Sequence, residues 1–120
     1  MDNSYESRKL LGEYLLFHYG EDEELMPWSE GPKNGLQFPV RTVHELLDSS
    51  SLKSSVKPKA LDVGCSVGRS TFELTAYCHE VLGCDLSKSF IDAAQTLSDR
   101  FELPYQYLEE GDFYKSSIAK

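Results

Sequence analysis

Two features of this chain have residue types and spacing suited to holding a nucleoside. One is a glycine-bearing turn, Gly64–Cys65–Ser66–Val67–Gly68; the other is an acid, Asp85. Glycines let a turn bring its backbone N–H groups close to a ligand. A carboxylate about 20 residues further on is placed to accept the hydroxyls of a ribose. Glycines alone recur in ordinary turns, and an acid before Ser87 could serve only as a helix cap. The pairing of loop and acid is what points to a ligand.

Other chemistries fit the same residues less well. Gly64–Gly68 also reads as GxSxG, a hydrolase nucleophile elbow with Ser66 as nucleophile. That reading needs a later acid and then a histidine, but the only histidine after Ser66 is His79, and none follows Asp112. A nicotinamide-binding loop fits poorly, because Ser66 stands two positions after Gly64 where GxGxxG has its second glycine. Cys65, Cys78 and Cys84, with His18, His44 and His79, show no zinc-ligand spacing, so no metal site is expected. Cys78 and Cys84 read as small buried hydrophobes, and an odd cysteine count without CxxC argues against a disulfide framework.

The elements that would position the loop and the acid are legible on either side. Ala60–Val63 is a short apolar run leading into the turn. A helical pattern with Phe72 and Ala76 follows, and Val81–Cys84 is a second apolar run ending on Asp85. This is the order of a βαβ unit. Phe90, Ile91, Ala94, Leu97 and Phe101 form the apolar stripe of the next helix. Pro104–Leu108 suggests a third strand, with Gly111–Asp112–Phe113 at its exit. Upstream, residues 4–19 read as an amphipathic helix capped by Ser4, with Leu11, Tyr14, Leu15 and His18 at helical spacing. Residues 26–38 read as a loop containing Trp28, and Pro39 opens a second helix. The expected organisation is a helical extension over residues 1–50, a serine-rich linker over 51–58, and a Rossmann-like α/β unit over 59–120. Three parallel strands are half of a doubly wound sheet, so residues 59–120 read as the N-terminal half of a larger domain, truncated here.

Composition narrows the partners. The 20 acidic residues outnumber the 12 basic ones, for a formal charge of -8. No Lys/Arg cluster is present to hold a phosphate backbone, so nucleic acid is not expected. No apolar run reaches membrane-spanning length and the N-terminus lacks a signal-peptide core, so no membrane partner is expected and the reading is cytoplasmic.

The string LDVGCSVGRS, with Asp62 ahead of the turn, resembles the first motif of class I S-adenosylmethionine-dependent methyltransferases. It departs from the commonest form at Ser66, where that motif carries its middle glycine. VLGCDLS resembles the second motif, and Gly111–Asp112–Phe113 the pair that contacts adenine. A narrower resemblance rests on YESRKLLGEYLLFHYG, the LPW-like element at Met26–Trp28, FPVR at 38–41 and ALDVGCSVGRSTFEL. Together these are similar to the methyltransferase domain at the C-terminus of ovothiol synthase, which methylates an imidazole nitrogen of 4-mercaptohistidine.

That resemblance implies S-adenosylmethionine as cofactor and a small thiolated histidine as acceptor, within a larger multidomain synthase. It places Asp62 near the cofactor's ammonium, with Gly64, Cys65, Ser66 and Gly68 lining the loop. It sets Asp85 on the ribose, Leu86 and Phe113 around the adenine, and Asp112 on its amine. Tyr14, His18 and Tyr19, together with Tyr5, become candidates for a lid or acceptor site, although aromatic residues at this spacing also suit plain packing. No catalytic residue is assigned. The alternatives are a methyltransferase acting on another small molecule or on a protein, and an inactive cofactor-binding or interaction module.

Overall fold

The computed structural model describes residues 4–54 and 56–120. A short 3-10 turn, Ser4–Glu6, precedes helix α1, Arg8–Tyr19. The cap is Ser7, not Ser4: the Ser7 side chain accepts a hydrogen bond from the Leu10 N–H at 3.2 Å. Asp22–Leu25 form a one-turn helix, α2, with the carboxylates of Asp22, Glu23 and Glu24 in its first turn, at the positive end. Helix α3, Phe38–Leu46, carries Pro39 in its first turn, where a missing N–H costs nothing.

Strands β1 (Lys59–Val63) and β2 (Glu80–Cys84) pair in parallel, with Asp62 opposite Gly83 and Val63 opposite Cys84. Helix α4, Arg69–Leu74, forms the crossover between them, and Ala76 lies beyond its end. Helix α5, Lys88–Arg100, is capped by the Ser87 hydroxyl and buries Phe90, Ala93 and Leu97. This is the mixed α/β, Rossmann-like arrangement expected, with a parallel sheet, flanking helices and a helical N-terminal part.

The third strand departs from expectation. Strand β3 (Leu103–Glu110) does not join β2; it pairs antiparallel with β4 (Phe113–Ala119) in a separate two-stranded sheet. Gly111 and Asp112 form the turn of this hairpin instead of a strand exit. A two-residue connection can only reverse the chain, whereas a parallel return needs a crossover of a dozen or more residues.

The core lies between α1, α5 and the hairpin. Leu15, Val67, Phe90, Ala93, Leu97, Tyr105, Tyr107 and Ala119 form one buried cluster. Helix α1 rests directly on β3: a Cβ added at Gly12 would stand 2.0 Å from the Gln106 carbonyl oxygen. Only glycine permits that approach. On the β1–β2 sheet, Cys65 and Thr71 lie against Gly83 on one face. On the other face Leu61, Val63 and Leu82 are 62% to 75% exposed among the described residues. Cys84 shares that face and is exposed, contrary to its reading as a buried hydrophobe; Cys78 is buried. No described helix is long and apolar enough to cross a membrane.

Candidate functional site

The site grows from the paired ends of β1 and β2. The N–H groups of Gly64 and Cys65 both donate to the Cys84 carbonyl, at 2.8 and 2.9 Å, so the turn leaves the sheet tied to the end of β2. Three of the next residues take left-handed backbone angles: Gly64 at φ +76°, Ser66 at +52° and Gly68 at +87°. At Gly68 a Cβ would also press within 3.0 Å of Ala94 on α5, so both angle and space require glycine. Ser66 holds the left-handed angle without that freedom, at the position where the related motif carries glycine. It is only 8% exposed, and its hydroxyl is buried with no hydrogen-bond partner.

Asp85 joins the loop to the next helix. Its Oδ2 accepts from the Ser66 N–H and its Oδ1 from the Ser87 N–H, both at 2.9 Å. The Ser87 hydroxyl, not Asp85, caps α5 by accepting from the Phe90 N–H. The two amides fix the carboxylate plane while each oxygen keeps a lone pair for a further donor. Asp62 is held one strand away, accepting from the Thr71 hydroxyl at 2.7 Å.

The N-terminal segment closes one side. The Tyr19 hydroxyl donates to the Val67 carbonyl at 2.8 Å, fastening α1 to the loop. The Ser87 hydroxyl donates to the Tyr5 carbonyl at 3.2 Å, and the Ser89 N–H to the Glu6 carboxylate at 3.0 Å. These contacts set Tyr5 and Tyr14 beside Asp85. A cavity of about 630 Å³ results. Its polar lining comes from Gly64, Ser66, Asp85 and Ser87, and its apolar lining from Val63, Cys84, Leu86 and Phe90, with the two tyrosines completing the wall. Leu86 is fully exposed at its mouth.

His18 lies further along α1, between the rings of Tyr14 and Phe17 at 5.9 and 5.5 Å. Burial pushes its pKa down to about 4; the positive charge of Arg69 adds to this and the negative charge of Asp62 opposes it. His18 is therefore neutral at physiological pH. Burial raises the Tyr19 phenol, so it remains a donor, and burial raises the Cys65 thiol as well. Arg69 sits over the Tyr19 ring, 5.9 Å from its centroid, and bridges Glu73 at 3.0 Å.

The structure thus brings Gly64, Ser66, Asp85, Leu86 and Tyr14 around one cavity, with Asp62, Cys65, Gly68 and Tyr19 in the layer that supports it. His18 does not line the cavity. Asp112 and Phe113 do not line it either: both are exposed where the hairpin turns, a consequence of β3 leaving the parallel sheet. Sequence reasoning missed Ser87 and Phe90. Ser87 was legible as the first hydroxyl ahead of a helical stripe; the cavity-facing side of Phe90 left no sign distinct from packing.

The site's chemistry suits an adenosyl sulfonium compound: an oriented acid for a diol, an unpartnered buried hydroxyl, and no basic side chain among the described lining residues. Residues 60–119, half of the chain, match the family model described as a methyltransferase domain. No protein of curated function matches the sequence.

Proposed function

The chain belongs to the methyltransferase-domain family, whose members take the methyl group from S-adenosylmethionine, and we propose that its acceptor is the imidazole of a thiolated histidine. The observation that carries the cofactor side is Asp85, braced through both oxygens by the amides of Ser66 and Ser87 at the rim of the cavity. The acceptor side is supported by the resemblance of residues 5–20, 26–28 and 38–41 to the 4-mercaptohistidine methyltransferase domain.

In this reading Asp85 would hold the ribose hydroxyls, and the unpartnered Ser66 hydroxyl of the Gly64–Gly68 loop would serve the amino-acid end, with Asp62 near its ammonium. Leu86 supplies an apolar surface for the base. The bound sulfonium supplies an already activated methyl group for in-line displacement. What remains for the protein is to align the acceptor and exclude water, an orientation effect worth roughly 7–11 kcal/mol. No nucleophilic side chain is needed, and a neutral imidazole attacks without a general base.

Calorimetric titration of S-adenosylmethionine into the purified chain, beside Asp85→Ala, tests the cofactor side. Micromolar binding that the variant abolishes is the expected result. An undiminished affinity in Asp85→Ala would remove the ribose role. For the acceptor, mass spectrometry after incubation with 4-mercaptohistidine and, separately, histidine should show methylation of the thiolated compound only. Equal methylation of both, or of neither while an unrelated amine is methylated, would reassign the substrate.

A further inference from the structure

Three aromatic rings from separate parts of the chain meet at the cavity. Tyr14 of α1 lies over Phe90 of α5, with centroids 4.6 Å apart and planes 36° apart. Tyr5 stands edge-on to both, at 6.4 Å and 70° from Tyr14 and at 6.1 Å and 87° from Phe90. Phe90 is only 2% exposed, so it acts as the backing that fixes the plane of Tyr14. Tyr5 is half-exposed, and its main chain is anchored to Ser87. All three line the cavity.

The charge around these rings has one sign. Asp85 is the one carboxylate among the described lining residues, and no Lys, Arg or His joins it. His18, whose ring is tilted against that of Tyr14 at 5.9 Å, stays neutral. The Arg69 guanidinium is engaged by Tyr19 and Glu73 and does not line the cavity. Aromatic faces beside a carboxylate, with no competing cation, attract a positively charged group through the ring quadrupole.

We propose that Tyr5 and Tyr14 form a wall that reads the positive charge of the methyl donor, favouring its sulfonium over the neutral thioether left after transfer. This rests on the cofactor reading of the site and goes beyond it. Ribose and adenine contacts are the same for donor and spent product and cannot tell them apart. A wall sensitive to charge can, and it lets the spent product leave while fresh donor is retained.

The test is a pair of calorimetric titrations, S-adenosylmethionine and S-adenosylhomocysteine, on the intact chain and on Tyr5→Leu, Tyr14→Leu and Tyr14→Phe. The intact chain should favour the donor by about tenfold, the effect of a desolvated cation–π contact. Each leucine variant should bring the ratio toward unity with product affinity held within about twofold, while Tyr14→Phe, which keeps the π face, should retain the preference. A ratio unchanged in both leucine variants overturns the wall. So does an equal loss of both ligands, which marks the tyrosines as packing only.

If neither nucleoside binds the intact chain, the cofactor reading fails, and the wall is then judged by a bare onium. Tetramethylammonium should shift the ring-proton resonances of Tyr5 and Tyr14 where neutral tert-butanol does not. Absence of those shifts overturns the wall as well.

Discussion

At the scale of single residues, Ser66 carries the sharpest tension in the molecule. It occupies a left-handed conformation that disfavours a side chain, and it buries a hydroxyl without a partner. Both features cost stability, the first by roughly 1 kcal/mol. Ser66→Gly should therefore raise the urea midpoint and, if the hydroxyl serves the ligand as proposed, weaken S-adenosylmethionine binding. A variant that gains stability and keeps full affinity would show that the hydroxyl has no ligand. His18 makes a second residue-scale prediction. Its folded pKa of about 4 lies below the ordinary 6.5, so the unfolded chain takes up the proton first. The stability due to neutral His18 is complete above pH 6.5 and is lost as pH falls toward about 4, by about 3 kcal/mol at most. Urea denaturation at pH 7, 5.5 and 4.5 should show this slope in the wild type and a shallower one in His18→Leu.

At the scale of elements, the α1–β3 contact decides whether the N-terminal wall can reach the loop. Gly12→Ala gains up to about 1 kcal/mol of helix propensity. It also drives a methyl group into the Gln106 carbonyl, and overpacking of that kind costs about 1–3 kcal/mol. The clash is with backbone, which cannot swing aside, so a net loss of about 1–2 kcal/mol is expected, read as a lower denaturation midpoint. The elements themselves were largely legible in sequence. β1, the turn and β2 are short apolar runs bounded by glycine and an acid, and α5 announces itself by a stripe and a capping hydroxyl. The partner of β3 was not legible: its alternating pattern in Leu103, Tyr105 and Tyr107 suits any half-buried strand, and only the tightness of the Gly111–Asp112 turn distinguishes reversal from exit. Ser7 and Ser4 are equally good caps by type, and tertiary contacts at Glu6 decided between them. For the site, local spacing revealed Asp85 and the loop, whereas Tyr5 and Phe90 meet only through contacts distant in sequence.

At the scale of the whole molecule, polar and apolar surfaces are unevenly shared. Leu61, Val63 and Leu82 stand exposed in neighbouring rows on one face of the parallel sheet, a surface that such sheets ordinarily bury. Leu82→Lys interrupts those rows without touching the core. Its stability should lie within about 0.5 kcal/mol of wild type, while binding of an environment-sensitive apolar dye falls. A large loss of stability would mean that the face is less open than it stands. The net charge of -8 keeps like molecules apart through repulsion, which offsets part of the tendency of that face to associate.

The contacts around the cavity also imply an order in time. Asp85 and Ser66 are 19 positions apart, whereas Ser87 reaches Tyr5 across 82 and Ser89 reaches Glu6 across 83. Closing the longer span costs about 1 kcal/mol more chain entropy, and distant contacts are slow to form. During folding, the acid and its loop can meet while the tyrosines are still searching. On the proposed reading, a nucleoside arriving at that stage would meet Asp85 without the tyrosines, so early encounters would be weak and retention would begin only once Tyr5 and Glu6 have docked.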